Sequence, residues 1–258
     1  MKRTILCFTL LLSFTLLSLP LALRSQEKDQ IRIAAAADLR FAMDSLLIVF
    51  KKTNPALPVT AVYGSSGNFF EQIQNGAPFD LFFSADIDYP RKLREQNKVL
   101  GEVMPYGTGQ LVIWSKKTDP AQAKMNSLLG KELSKIAIAN PAHAPYGKRA
   151  EESLRYYKIY DRIKDKLVMG ENISQTAQYV TSGAADIGII ALSLALSPSM
   201  QQEGGKYWQI PAESHQPLRQ GFVLLQHAGG NAGAKLFAGF MDSATATAIL
   251  KYFGFGER

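Results

Sequence analysis

The chain has 258 residues, 47% of them hydrophobic and 20% charged, with a formal net charge of +7. That is more apolar material than one small core needs, and it lacks the bias of a fibrous or disordered chain. Its basic residues, among them Lys51, Lys52, Arg91, Lys92, Arg94, Lys116, Lys117, Lys148 and Arg149, are scattered and form no stripe, so no nucleic-acid partner is expected.

Lys2 and Arg3 precede an apolar stretch from Ile5 to Leu23, and a polar run from Arg24 to Gln30 follows. This is the pattern of a secretory signal, expected over residues 1–25. The stretch is also long enough to serve as a membrane anchor, which leaves a tethered form as the alternative. Cys7, the single cysteine, falls inside it, so the remainder has neither disulfide nor thiolate chemistry.

From residue 31 onward, short apolar runs alternate with amphipathic stretches, the rhythm of α/β layers. Strands are expected at 31–35, 58–63 and 81–84, with helices at 39–50, 68–75 and 89–96. In the first helix Ala42, Met43, Leu46, Leu47 and Phe50 share one face. A second series places strands at 110–114, 136–139, 167–169 and 187–190, with helices at 147–157 and 174–182. A strand at 222–225 and helices at 232–241 and 244–253 close the chain. Pro105 and Gly107, and again Pro211 and Pro217, mark two connecting stretches. The expectation is two α/β lobes: 26–104 in the first, 105–215 in the second, and 216–258 returning to the first. Two crossings make a hinge, with ligand held between the lobes.

Several strand-to-helix junctions carry small or glycine-rich residues: Ala34 to Asp38, Tyr63 to Gly67, Ala144 to Gly147, Gly170 to Ile173, and Gly188 to Ala191. In open α/β sheets such turns line the crevice at the carboxyl ends of the strands. Helix starts present unpaired N–H groups and the positive end of the dipole, and small residues let an anion approach them. Their convergence points to a dehydrated anion held by neutral donors.

At these residues the sequence resembles the periplasmic molybdate-binding proteins of ABC importers. The resemblance runs from about Ile31 to Phe255. It is carried by Ala34–Leu39, Tyr63–Asn68, Gly76–Asp86, Pro141–Gly147, Ala185–Ile190 and Tyr252–Phe255. It implies the two-lobed type II periplasmic binding protein fold, each lobe a mixed sheet flanked by helices. It also implies capture of molybdate or tungstate for a membrane permease by a secreted, monomeric, non-enzymatic protein without a cofactor. Another tetrahedral oxyanion such as hydrogen phosphate is the alternative, and an enzyme on the same fold a remoter one.

In that family serine hydroxyls and backbone N–H groups hold the oxyanion, so the metal is reached only through its oxygens. Carried over by position, Ser66 is the hydroxyl donor, and Tyr146 and Ile173 offer backbone N–H groups. Asp38 stands where the family often has a serine. Ala191 stands where some members have a tyrosine, a hydroxyl that Tyr146 is placed to replace. Asp38 admits two readings. It caps the helix that starts at Leu39, or its carboxylate accepts a proton from a protonated anion. Ser66→Ala is expected to weaken binding without changing stability. Asp80 and Asp86 are read as braces of turns. Three histidines without ligand spacing, no G-x-S-x-G and no Walker sequence leave no enzyme or ATPase signature.

Overall fold

The structure, a computed structural model, describes residues 30–258. The signal expected at residues 1–25 lies outside the described residues. Strands β1 (Ile31–Ala36), β2 (Val59–Gly64), β3 (Leu81–Ser84), β4 (Val99–Gly109), β5 (Leu111–Ser115), β6 (Ile136–Ala139), β7 (Leu167–Gly170), β8 (Ile187–Ala191), β9 (Lys206–Gln209) and β10 (Leu218–Leu225) form two five-stranded sheets. Their orders are β2-β1-β3-β10-β4 and β7-β6-β8-β5-β9. In the first, β1 runs parallel to β2 and β3, and β10 is antiparallel to β3 and β4. In the second, β6 runs parallel to β7 and β8, and β5 is antiparallel to β8 and β9. Each lobe therefore has the same plan, with its one reversed strand in fourth place.

Among the described residues seven helices of eight or more residues pack on these sheets: α1 (Arg40–Thr53), α2 (Ser66–Gln74), α3 (Asp88–Glu95), α4 (Pro145–Tyr156), α5 (Ile173–Thr181), α6 (Ala232–Phe240) and α7 (Ala244–Tyr252). With helices on both faces, the central strands read as unbroken apolar runs, and every residue of β3, β6 and β8 is buried. Helix α1 buries Ala42, Met43, Leu46, Leu47 and Phe50, the face expected from the sequence. Ser65, Asn172, Asn231 and Ser243 cap the starts of α2, α5, α6 and α7, and Pro145 opens α4. In the first lobe Phe83 stacks on Phe222 at 4.5 Å, and Phe237 meets Phe50 edge-on at 5.0 Å.

The crossing between lobes is displaced from its expected place. Residues 99–109 form β4 rather than a linker. Pro105 is accommodated because β4 is an edge strand, and because Pro105 sits at a register shift opposite Gln220 and Gly221. The chain thus leaves the first sheet at Gly109 instead of near residue 105. It returns between β9 and β10, where Leu218 pairs with Gly109, so the two crossings lie side by side.

Asp80 braces the first lobe, as read from the sequence. Its buried carboxylate accepts from the Arg32 backbone N–H at 2.8 Å and pairs with the His227 ring at 3.1 Å. Asp86 accepts from the Asp88 backbone N–H at the start of α3.

Candidate functional site

The carboxyl ends of β1, β2 and β3 face those of β6 and β7 across one cleft. Ala36, Ala37, Asp38, Gly64, Ser65, Ser66 and Ala85 line it from the first lobe, and Ala144, Pro145, Tyr146, Asn172 and Ile173 from the second. Three long helices, α2, α4 and α5, begin at this wall. Their first N–H groups have no acceptor within the helix. At α2 the Ser65 side chain takes the Asn68 N–H, and at α5 the Asn172 side chain takes those of Ser174 and Gln175. No side chain caps α4, which follows Ala144. The earliest N–H groups, those of Ser66, Tyr146 and Ile173, are thus left at the cleft wall.

The lobes meet around this cleft. The Gly67 N–H donates to the His143 carbonyl at 3.0 Å, and Asn68 Nδ2 donates to Glu171 at 3.1 Å. The hydroxyls of Ser174 and Ser193 donate to the carbonyls of Ala37 and Asp38, both at 2.8 Å. The contact is close, and a void of only about 10 Å³ remains between the walls. Among the described residues larger hollows include one of about 310 Å³ between α1 and α5, one of about 130 Å³ between α3 and α4, and one of about 560 Å³ beside the C-terminus. None brings the starts of α2, α4 and α5 together, so volume is a poor guide to the site.

Ser66 is 1% exposed, and its Oγ accepts from the Ala85 N–H at 3.0 Å. That bond fixes the oxygen and leaves the hydroxyl proton to point into the cleft. It also corrects the expectation that Ser66→Ala is silent in stability. The change strands a buried N–H, which costs about 1–3 kcal/mol. Ser65, next to it, is spent on capping α2.

Asp38 does not cap a helix. It lies within a 3-10 turn, Ala37–Leu39, and Leu39 is the residue that precedes α1, with no side-chain cap bond at either start. Its carboxyl turns inward instead. Oδ2 accepts from Tyr146 Oη at 3.0 Å and from Gln220 Nε2 at 2.8 Å. Gln220 is held in turn by Tyr106, whose hydroxyl donates to Gln220 Oε1 at 2.6 Å. Oδ1 is buried with no side-chain partner. Tyr146 thus serves the site twice. Its hydroxyl gives its one proton to Asp38, so it has none to donate in place of the family's tyrosine. Ala191 lies at the end of β8, fully buried and paired with Leu111, and does not line the cleft. Gln220 and Tyr106 were not legible as site residues, because both sit on strands of the crossing where the sequence offers only polar residues in a strand.

Burial pushes the Asp38 carboxyl from its ordinary value of 3.8 up to about 6, against the hydrogen bonds from Gln220 and Tyr146 and from the backbone N–H groups of Asp38 and Leu39. Burial, with the Asp38 charge adding to it, also holds the Tyr106 and Tyr146 hydroxyls well above their usual range. A raised acid stabilises the fold where it is neutral. The contribution is full below pH 4 and is lost as the pH rises through 6. The ionised form then costs about 3 kcal/mol. Asp38→Asn is therefore expected to be more stable than the parent at pH 8, by up to that amount, and equal to it at pH 4. Urea unfolding at both pH values checks this. A variant less stable at pH 8 would show that the amide does not fit the network.

Among the described residues no group of three or more His, Cys, Asp or Glu side chains is placed to hold a metal ion, and no helix is long and apolar enough to cross a membrane. The cleft is a cage of neutral donors around one buried carboxyl.

Comparison with known proteins agrees with this architecture. The chain is 33% identical over 228 residues to the molybdate-binding protein ModA of Azotobacter vinelandii, covering 88% of this chain and 90% of that protein. It is 36% identical over 199 residues to the ModA protein of Rhodobacter capsulatus, covering 76% and 77%. The solved structure of the Azotobacter vinelandii periplasmic molybdate-binding protein superposes with a TM-score of 0.80 at 31% identity, over 88% of this chain and 99% of that one. That match bears out the two-lobed type II periplasmic binding protein fold, with its two mixed sheets. The family model for bacterial extracellular solute-binding proteins matches residues 31–256, and the chain belongs to that family of transport-associated, non-enzymatic binding proteins.

Proposed function

We propose that this protein captures molybdate, or tungstate of the same shape and charge, between its lobes and delivers it to the membrane permease of an ABC importer. The observation that carries the reading is the convergence of three helix starts on a buried serine hydroxyl, in a cleft whose lining, Asp38 apart, is neutral. A tetrahedral dianion loses its hydration shell on entering such a cleft, and donors from both lobes replace it. Ser66 supplies a hydroxyl and a first-turn N–H, and Tyr146 and Ile173 supply N–H groups from the opposite wall. The relatives, named for molybdate, support this choice of anion. In this reading residues 1–25 direct export to the periplasm, and the protein works as a monomer without a resident cofactor or a nucleic-acid partner.

Calorimetric titration with molybdate, tungstate, sulfate, phosphate and chromate in parallel tests the assignment. One molybdate or tungstate per chain is expected, with the other anions weaker. Binding of none of the five would overturn it. Ser66→Ala is expected to weaken molybdate binding at least tenfold, since a hydrogen bond to a charged group contributes about 1.5–3 kcal/mol. Ser65→Ala is the control, and should cost a helix cap of about 1 kcal/mol in stability with affinity retained. Equal losses of affinity in both variants would move the anion away from Ser66.

A further inference from the structure

One carboxyl stands in the wall of the anion cleft. Asp38 is 1% exposed and lines the same cavity as Ser66, Tyr146 and Ile173. Its two oxygens are not equivalent. Oδ2 receives both the Tyr146 hydroxyl and the Gln220 amide, and that amide is also 3.2 Å from the Tyr146 oxygen. The Tyr106 hydroxyl has two acceptors in reach, Gln220 Oε1 at 2.6 Å and the Ser84 carbonyl at 3.1 Å, and giving its one proton to the nearer leaves the amide nitrogen of Gln220 for Asp38. Two side-chain donors therefore occupy Oδ2, while Oδ1 is buried with no side-chain partner and only the Asp38 and Leu39 backbone N–H groups of its own turn near the carboxyl. A proton on this carboxyl belongs on Oδ1.

We propose that Asp38 binds the anion as a neutral acid, its Oδ1–H donating to an anion oxygen, so that capture takes up one proton from solvent at neutral and alkaline pH. This inference rests on the oxyanion reading of the cleft. An ionised Asp38 at this wall repels a dianion: two unit charges about 4 Å apart interact by about 4 kcal/mol at an effective dielectric of 20. Protonation removes that repulsion and adds a donor at the position where relatives often have a serine. Tyr106, Gln220 and Tyr146 form a ratchet for the proton's placement, since their own hydrogens already point at Oδ2 or away from the cleft. The groups that face the carboxyl are Tyr146 from α4, Tyr106 from β4 and Gln220 from β10, while Ser193 and Ser174 bond to the backbone of the same turn. Among the described residues no cationic side chain is paired with it, and Arg40 lies with its guanidinium over the Tyr63 ring at 4.9 Å. The raised ionisation of Asp38 agrees with this arrangement. In the neutral acid Oδ2 is already taken by two donors and the Oδ1–H seeks an unprotonated oxygen, so an anion that brings its own O–H to this wall is disfavoured against a fully ionised one.

The test is calorimetry with molybdate on the full exported chain between pH 6.5 and 8.5. Wild-type affinity is expected to fall about tenfold per pH unit, about a hundredfold over the range, because one proton is bound with the anion. Asp38→Asn carries a permanent donor in the same place, with its carbonyl oxygen left for Tyr146 and Gln220. Its affinity should vary less than threefold over the range and exceed the wild-type value at pH 8.5. Independently of any variant, titrations of the wild type at pH 8 in two buffers of different ionisation enthalpy should report uptake of about one proton per anion. A wild-type affinity flat in pH with no proton uptake would overturn the proposal and leave molybdate capture standing. So would phosphate bound more tightly than molybdate by the wild type and lost in Asp38→Asn, which would make Asp38 an acceptor. No binding of any of the five anions by either protein at any pH would instead sink the oxyanion reading, and this inference with it.

Discussion

Replacing Gly67 by alanine is expected to leave the protein folded and to weaken anion binding about tenfold to a hundredfold. Gly67 is the second residue of α2, and its N–H donates across the cleft to His143. An added Cβ would stand 2.7 Å from the His143 carbonyl oxygen and 2.9 Å from its Cα, both backbone atoms of the opposite lobe. Within its own lobe the change is mild, since alanine in a helix is favoured over glycine by about 1 kcal/mol. The clash exists only when the lobes meet. Overpacking of this kind costs about 1–3 kcal/mol, and each 1.4 kcal/mol is a factor of ten in affinity. Calorimetry should show the loss while thermal unfolding of the free protein stays level or rises. Small-angle scattering should show less contraction on adding molybdate than for the parent. Unchanged affinity would mean that the anion is held with the lobes further apart than they stand here.

Gly147→Ala should act in the opposite sense, on stability first. Gly147 follows Tyr146 in the first turn of α4, where the helix start presses against the end of β6. A Cβ there would lie 2.1 Å from the Ala139 carbonyl oxygen and 2.6 Å from its carbon. No flexible side chain yields to it, so either α4 or β6 must shift, and both belong to the core of the second lobe. A loss of about 3 kcal/mol is expected, at the upper end for overpacking, or roughly 6–12 °C in melting temperature for a protein of this size. Molybdate binding should fall as well, because the same displacement moves the Tyr146 N–H and loosens its hydroxyl from Asp38. Differential scanning calorimetry checks the first effect. A melting temperature within 2 °C of the parent would show that the α4 start is not packed as tightly as the strand end implies.

The donor turns and the Asp38 network differ in how far the sequence announces them. The glycine-rich turns and helix starts are local features, and Ser66, Tyr146 and Ile173 come together because each follows a strand in a lobe whose alternation of elements is plain. Asp38 was legible as an anomaly, but its partners were not. Gln220 is 182 residues away from it in sequence and Tyr106 reaches it only through Gln220. Nothing local in a strand marks which polar residue points at a buried carboxyl. Strand β4 was missed for a related reason. Its glycines and Pro105 are the residues of a linker, and only the pairing with β10 turns them into an edge strand. The helix ends, by contrast, fell within a few residues of their expected places, since Ser65, Asn172 and Pro145 act within one turn of chain.

The position of β10 has a consequence for the order in which the molecule is made. The second lobe's sheet is drawn from one continuous stretch, Leu111 to Gln209. The first lobe's sheet is not, because β10 inserts between β3 and β4. Until that strand emerges, β3 and β4 have no neighbour to bridge them, and closing the gap joins segments more than a hundred residues apart. Chains are built from the N-terminus, so the lobe that is begun first is completed last. Its partner is whole before it, and Gln220, which arrives on the same late strand, sets Asp38 in place only as the first lobe is finished.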